Sequence, residues 1–213
     1  MSARLSIVAA VILVFSFSGI LFADTISIPG NSTVSIGFNA TTYGQTFRVP
    51  GSSLNENILT QFSFTFQGVG QYHAFIYEWN GNITAFTSNP VGSALFDSGP
   101  LVAPGSLTQI FFNTPGIALD PTKGYVAFIG APSLLGFVFA DNISSPFEGL
   151  LTRSDNPVFT TLNSWQGLPN LDLAFTANLA APSVPEPSAL LTLLSGISLL
   201  ALSSWRRGHS FGL

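Results

Sequence analysis

Acid–base and nucleophilic chemistry need a histidine, a thiol, an activated hydroxyl or paired carboxylates, and residues 24–183 offer few of these. The chain has no cysteine, which removes thiolate nucleophiles, thiolate metal sites and disulfides together. His73 is the one histidine in the stretch. It falls in a strand-like run, 72–79, where a packed or surface role outweighs a catalytic one. No Gly-x-Ser-x-Gly elbow sets a serine against it. Glycoside hydrolysis would need two carboxylates facing each other across a cleft. Asp97-Ser-Gly, Asp120-Pro, Asp141-Asn and Asp155-Asn-Pro instead read as turns, in which the aspartate hydrogen-bonds nearby backbone. Turn aspartates can also ligate calcium, but no D-x-D-x-D spacing occurs, so no metal and no cofactor is expected. The chain reads as a non-enzyme.

Aromatic residues offer another chemistry. On a strand over 72–79, His73, Phe75, Tyr77 and Trp79 share one face, with Tyr72, Ala74, Ile76 and Glu78 on the other. One reading is an exposed strip on which sugar rings stack, with Tyr77 and Trp79 as the ligand-binding residues, about 6–7 Å apart along the strand. The other is that this face fills a core, the usual fate of Phe-rich strands. The first requires both rings to meet solvent.

Charge narrows the partners. Residues 24–183 carry three basic side chains, Arg48, Lys123 and Arg153, against nine acidic ones. Twelve charges in 160 residues is far below the roughly 25% of an average soluble domain. Without clustered Lys and Arg, nucleic acid is excluded as a partner. Polarity comes from Ser, Thr, Asn and Gln.

The elements that would carry these residues follow a period of two. In residues 58–66, Phe62, Phe64 and Phe66 face one way, and Gln61, Ser63 and Thr65 the other. In residues 171–179, Leu171, Leu173, Phe175 and Leu179 face inward. Runs at 33–38, 46–49, 72–79, 107–113 and 124–130 are rich in aromatic and β-branched residues, with Gly/Pro/Asn clusters between them. Asn80-Gly81 suits a type I′ turn, which predicts a hairpin pairing 72–79 with 83–86. The fold class expected for 24–179 is all-β, an antiparallel β-sandwich or jelly roll, with a single twisted barrel as the alternative.

The ends differ. Met1-Ser-Ala-Arg4, an apolar run over 5–22 and Ala23 before a polar Asp24 follow the order of a secretory signal, so residues 1–23 are expected to be a signal peptide cleaved after Ala23. Residues 180–188 read as a linker ending in Val184-Pro-Glu-Pro-Ser188. The apolar residues 189–205 would make a helix of about 25 Å, at the short end for a membrane span. Arg206 and Arg207 follow it, on the side that basic residues mark as cytoplasmic. Bottom-up, 189–207 is a C-terminal transmembrane anchor.

Taken together, Pro185-Glu186-Pro187, the apolar helix and the basic finish resemble the PEP-CTERM sorting signal of Gram-negative bacteria. That resemblance covers residues 184–207, and residues 208–213 extend past the usual basic end. It implies recognition of Pro185, Glu186 and Pro187 by an exosortase, a membrane protease, with Arg206 and Arg207 as the retention signal. It further implies a protein anchored in the membrane until processing, then held at the cell surface or outside it, with exopolysaccharide as a partner. Tyr43-Gly-Gln-Thr-Phe47, residues 72–81, Leu95-Phe-Asp-Ser-Gly99 and residues 124–128 are similar to β-rich domains of other PEP-CTERM proteins, a similarity that implies no activity. The expected function is a non-catalytic structural or polysaccharide-binding component of the envelope or matrix. The alternatives are an exported polysaccharide hydrolase and a plain C-terminally anchored membrane protein. N-terminal sequencing of surface-exposed protein is expected to start near Asp24; recovery of Met1 or Ser2 would contradict the signal assignment.

Overall fold

Alternating apolar and polar residues bury one row of side chains and wet the other only if the chain is extended. The computed structural model bears this out over the residues it describes, 24–30, 41–50, 56–84, 88–133, 135–141, 149–154, 165–168 and 171–182. Every regular element among them is a strand, and none is a helix long and apolar enough to cross a membrane. The expected terminal helices lie outside the described residues, as does the run at 33–38. The chain divides into two units between Ala181 and Pro182.

One sheet has the order β1 (Asp24–Ile28), β14 (Phe175–Ala180), β3 (Ile58–Gly68), β7 (Thr108–Ala118), with β9 (Leu135–Phe137) added to the far end of β3. The other runs β12 (Trp165–Leu168), β11 (Leu151–Ser154), β2 (Thr42–Phe47), β8 (Gly124–Gly130), β4 (Gln71–Trp79), β5 (Pro90–Asp97), with β6 (Leu101–Val102) on β4. Two short strands, β10 (Phe139–Asp141) and β13 (Leu171–Leu173), pair with each other. All pairings are antiparallel.

Side chains from both sheets share one core. Phe62, Phe64, Leu173 and Phe175 are all buried, as the alternation requires. Phe175 meets Phe64 beside it at 5.2 Å and Phe47 of the other sheet at 5.4 Å between ring centroids. Phe62 stacks on Phe112 at 4.9 Å and meets Phe96 of β5 edge-on at 5.5 Å. Such tilted and edge-on contacts suit the ring quadrupole. Leu59 and Phe62 both point inward although three residues apart, which strict alternation forbids. A bulge at Thr60 resolves this: opposite β14 the register steps from Leu59↔Leu179 to Gln61↔Asn178, and opposite β7 from Leu59↔Ile117 to Gln61↔Asn113, with Thr114-Pro115-Gly116 set between those pairs on the edge strand, where a proline is tolerated.

Two sequence expectations are corrected. The run 171–179 is two strands, because β13 pairs with β10 and β14 with β1 and β3, the break falling at Ala174. The hairpin after β4 does not return at 83–84, and residues 85–86 lie outside the described residues. Gly81 does take the positive φ of 94° that the Asn-Gly pair suggested. However, the partner strand is β5, and the intervening loop closes through Asn80 N–H donating to Asn89 O at 3.0 Å. Ile83 is diverted because its side chain is fully buried and its carbonyl accepts from Thr46 Oγ1 at 2.7 Å.

Phe64→Ala removes a ring that touches both Phe175 and Phe137 in a fully buried position. Urea unfolding of this variant is expected to show a loss of about 3–5 kcal/mol; a loss below about 1 kcal/mol would mean the ring is not in a packed core.

Candidate functional site

The strip on β4 has a different fate from the one a sugar-stacking site requires. Tyr77 is 9% exposed and Trp79 3%. Both belong to a second apolar cluster, on the side of the larger sheet away from the shared core, with Phe75, Ile83, Val126, Phe128 and Trp165. Trp165 closes it, meeting Phe128 at 5.0 Å and Trp79 edge-on at 6.0 Å. Gly44 on β2 admits Phe128 of β8 close to its backbone: a Cβ there would come within 2.7 Å of Phe128 Cβ. Tyr77 and Trp79 therefore lack the exposure that the ligand-binding reading requires and fit the packing reading of this face. The physical reason is Trp165, which lies 86 positions beyond Trp79 and which period-two reading of β4 alone leaves out.

The titratable groups are engaged with structure. His73 Nδ1 sits 3.0 Å from Asp97 Oδ1, and its ring stacks on Phe75. The same Asp97 oxygen accepts Gly99 N–H at 2.8 Å, as a turn aspartate should. Ser98 Oγ accepts from Ala74 N–H and donates to Gly99 O, so its proton is directed at backbone. Asp120 Oδ1 accepts both the amide and the hydroxyl of Thr122, which hold its carboxyl below the usual range. The side chain of Asp141 and all of Asp155 lie outside the described residues, as do Ala23, Pro185, Glu186, Pro187, Arg206 and Arg207. An open polar depression of about 520 Å³ is lined by Arg48, Gly81, Asn82 and Thr84. Asn82 Oδ1 in it already accepts from the Thr84 amide and hydroxyl.

Sequence reading missed one buried polar node. Asp172, only 1% exposed, accepts Gln45 Nε2–H at 2.7 Å through Oδ1. Gln45 Oε1 accepts Leu173 N–H at 2.8 Å, so this single side chain fastens β2 to β13. Asp172 Oδ2 has no hydrogen-bond partner among the described residues. Burial pushes the Asp172 carboxyl up, and the Gln45 hydrogen bond offsets this in part. Alternation alone places Asp172 opposite Leu171 and Leu173, on a face that would be wet; nothing local signals that β2 covers it.

A second organised polar region lies on the outer face of the smaller sheet. Thr25 Oγ1 donates to Asn178 Oδ1 (3.2 Å), Asn178 Nδ2 to Gln61 Oε1 (3.0 Å), and Gln61 Nε2 to Asn113 Oδ1 (2.8 Å). This ladder crosses all four strands in register. In the next row Ser27, Thr176, Ser63 and Phe111 lie opposite one another, with Ser63 bonded to Thr176 and accepting Gln109 Nε2–H at 3.0 Å. These two rows and Gln109 hold no ionisable side chain. Phe111 stands among these amides 53% exposed. Its sequence signal is the run Ile110-Phe111-Phe112, three apolar residues where alternation allows two; the middle one is left on the wet face.

No family model matches the chain, and no curated protein matches it. Among solved structures, a similar chain is that of the cysteine protease and lectin-like domains of Cwp84, a surface layer associated protein of Clostridium difficile, at 11% identity and a TM-score of 0.44. The match covers 67% of the present chain and 32% of that one, so the chain spans about a third of its length.

A carboxyl raised in the folded state binds protons more readily there than in the unfolded chain, so its contribution to stability grows as pH falls through the folded value and is complete below the ordinary value near about 4. Urea unfolding of the native protein and of Asp172→Asn between pH 7 and pH 4 is therefore expected to show the native protein gaining on the variant as pH drops. Parallel curves would contradict the desolvation of Asp172.

Proposed function

We propose that the chain is an exported, exosortase-sorted component of a Gram-negative cell envelope or extracellular matrix, and that its domain, a two-layer β-sandwich of jelly-roll type, is structural or binds polysaccharide without cleaving it. The observation that carries the sorting part is the order Pro185-Glu186-Pro187, apolar 189–205, Arg206-Arg207, which resembles a PEP-CTERM tail. Insertion would come from the apolar helix and orientation from the arginine pair. For the domain, the use of Asp97 and Asp120 as turn ligands favours the non-catalytic reading over the hydrolase. A hydrolase would hold two carboxylates about 5–10 Å apart across a cleft. A nearly uncharged polar surface favours contact with neutral, hydroxyl-rich material.

Mass spectrometry of the mature protein in hosts with and without the exosortase tests the sorting part. Tail removal is expected only when the enzyme is present. Glu186→Ala combined with Pro187→Ala is expected to block that removal while membrane insertion continues. Normal processing of the double variant would leave a plain C-terminal anchor.

A further inference from the structure

We propose that the outer face of the β1-β14-β3-β7 sheet is the binding site for a neutral polysaccharide chain, with Phe111 as the ring on which a sugar lies and the carboxamides of Gln61, Gln109, Asn113 and Asn178 as the groups that read its hydroxyls. This deepens the polysaccharide-binding branch of the proposed function and rests on it.

A carboxamide has two N–H donors and two acceptor lone pairs. In the ladder Gln61 uses one donor on Asn113 and one acceptor site on Asn178, and Asn178 uses one of each on Gln61 and Thr25. Among the described residues each keeps one donor and one lone pair for a ligand. The used pair fixes the amide plane, so ordering that a free surface side chain would lose on binding is already lost on folding. Phe111 lies between Gln109 and Asn113 on the same strand face, each about 6–7 Å along β7. A pyranose over the ring would therefore have its C–H face on the phenyl and its edge hydroxyls at amides on both sides, the pairing of apolar body and polar rim that aromatic binding surfaces use.

The occupant is set by charge and by apolar area. The two rows and Gln109 carry no ionisable side chain, so an anionic polymer would find no counter-charge among them. A second protein molecule needs roughly 800 Å² per partner with an apolar centre. Among these residues Phe111 is the single exposed large apolar side chain. A neutral polyhydroxylated chain asks for one ring and many weak donors and acceptors, which is what these rows supply.

The test is retention of the full-length chain in detergent on neutral polymers (dextran, laminarin, hydroxyethylcellulose and galactomannan), with alginate as the anionic comparison. At least one neutral polymer is expected to retain it, with little change on adding salt. Phe111→Ala is expected to weaken that retention about tenfold, Phe111→Trp to keep it, and Val102→Ala, an exposed change in the other sheet, to leave it unaltered. Failure of every neutral polymer, salt-sensitive binding to alginate alone, or a concentration-dependent dimer abolished by Phe111→Ala would each overturn the proposal. If a neutral polymer is retained equally by Phe111→Ala, this site falls and the non-catalytic binding reading stands. Release of reducing ends from the retained polymer would instead remove the non-catalytic reading on which the site rests.

Discussion

Phe62, Phe64 and Phe66 point into one core, and because a strand alternates, Gln61, Ser63 and Thr65 must then take the opposite face, where Gln61 and Thr65 are half-buried and Ser63 is buried. The whole outer ladder depends on this coupling. A slip of one residue in the pairing of β3 with β14 or β7 would set carboxamides into the core and rings into water. The packed contacts of Phe64 with Phe175 and of Phe62 with Phe112 penalise that slip heavily, so the core fixes the register that brings Thr25, Asn178, Gln61 and Asn113 into line. The amides in turn satisfy one another across the strands and give the sheet a polar surface that needs no charge. In a domain with so few ionisable side chains, this is how an exposed face stays wetted and ordered at once.

Where burial is decided locally, the sequence was readable. β3 and β8 fall where alternation and apolar content put them, and the inward set Phe62, Phe64, Leu173 and Phe175 is buried. The turn aspartates Asp97 and Asp120 also behave as their neighbours suggest, since an Asp-Ser-Gly or Asp-Pro step supplies the backbone donor within two residues. Gly81 takes the positive φ that the Asn80-Gly81 pair suggested, but the connection closes between Asn80 and Asn89 and the partner strand is β5. Ile83 is drawn under Thr46, a residue 37 positions earlier, and the return to β4 is delayed to Pro90.

Long-range covering explains what remained hidden. Tyr77 and Trp79 occupy a strand face that alternation leaves open between solvent and packing, and Trp165, meeting Trp79 and Phe128, decides it for packing. Phe111, in a run that breaks alternation, is the ring left in solvent because β7 is an edge strand with nothing laid over it among the described residues. Asp172 is the reverse case, a carboxylate between two leucines that alternation assigns to water and that Gln45 of β2 reaches instead. Each of these outcomes depends on a partner at least 80 residues away in the chain or on the lack of one, which no window of a few residues contains.

The account's central claim is that an uncharged, self-bonded amide ladder and one exposed phenyl act together on a neutral glycan. Side-chain amide signals report on it directly. In ¹H–¹⁵N spectra of the full chain in detergent, titrated with a neutral glucan hexasaccharide, the carboxamide resonances of Gln61, Gln109, Asn113 and Asn178 should shift together, with saturation transferred from the sugar to the Phe111 ring. Unmoved carboxamides, with the shifts confined to Arg48, Asn82 and Thr84 in the depression at the other sheet, would contradict it.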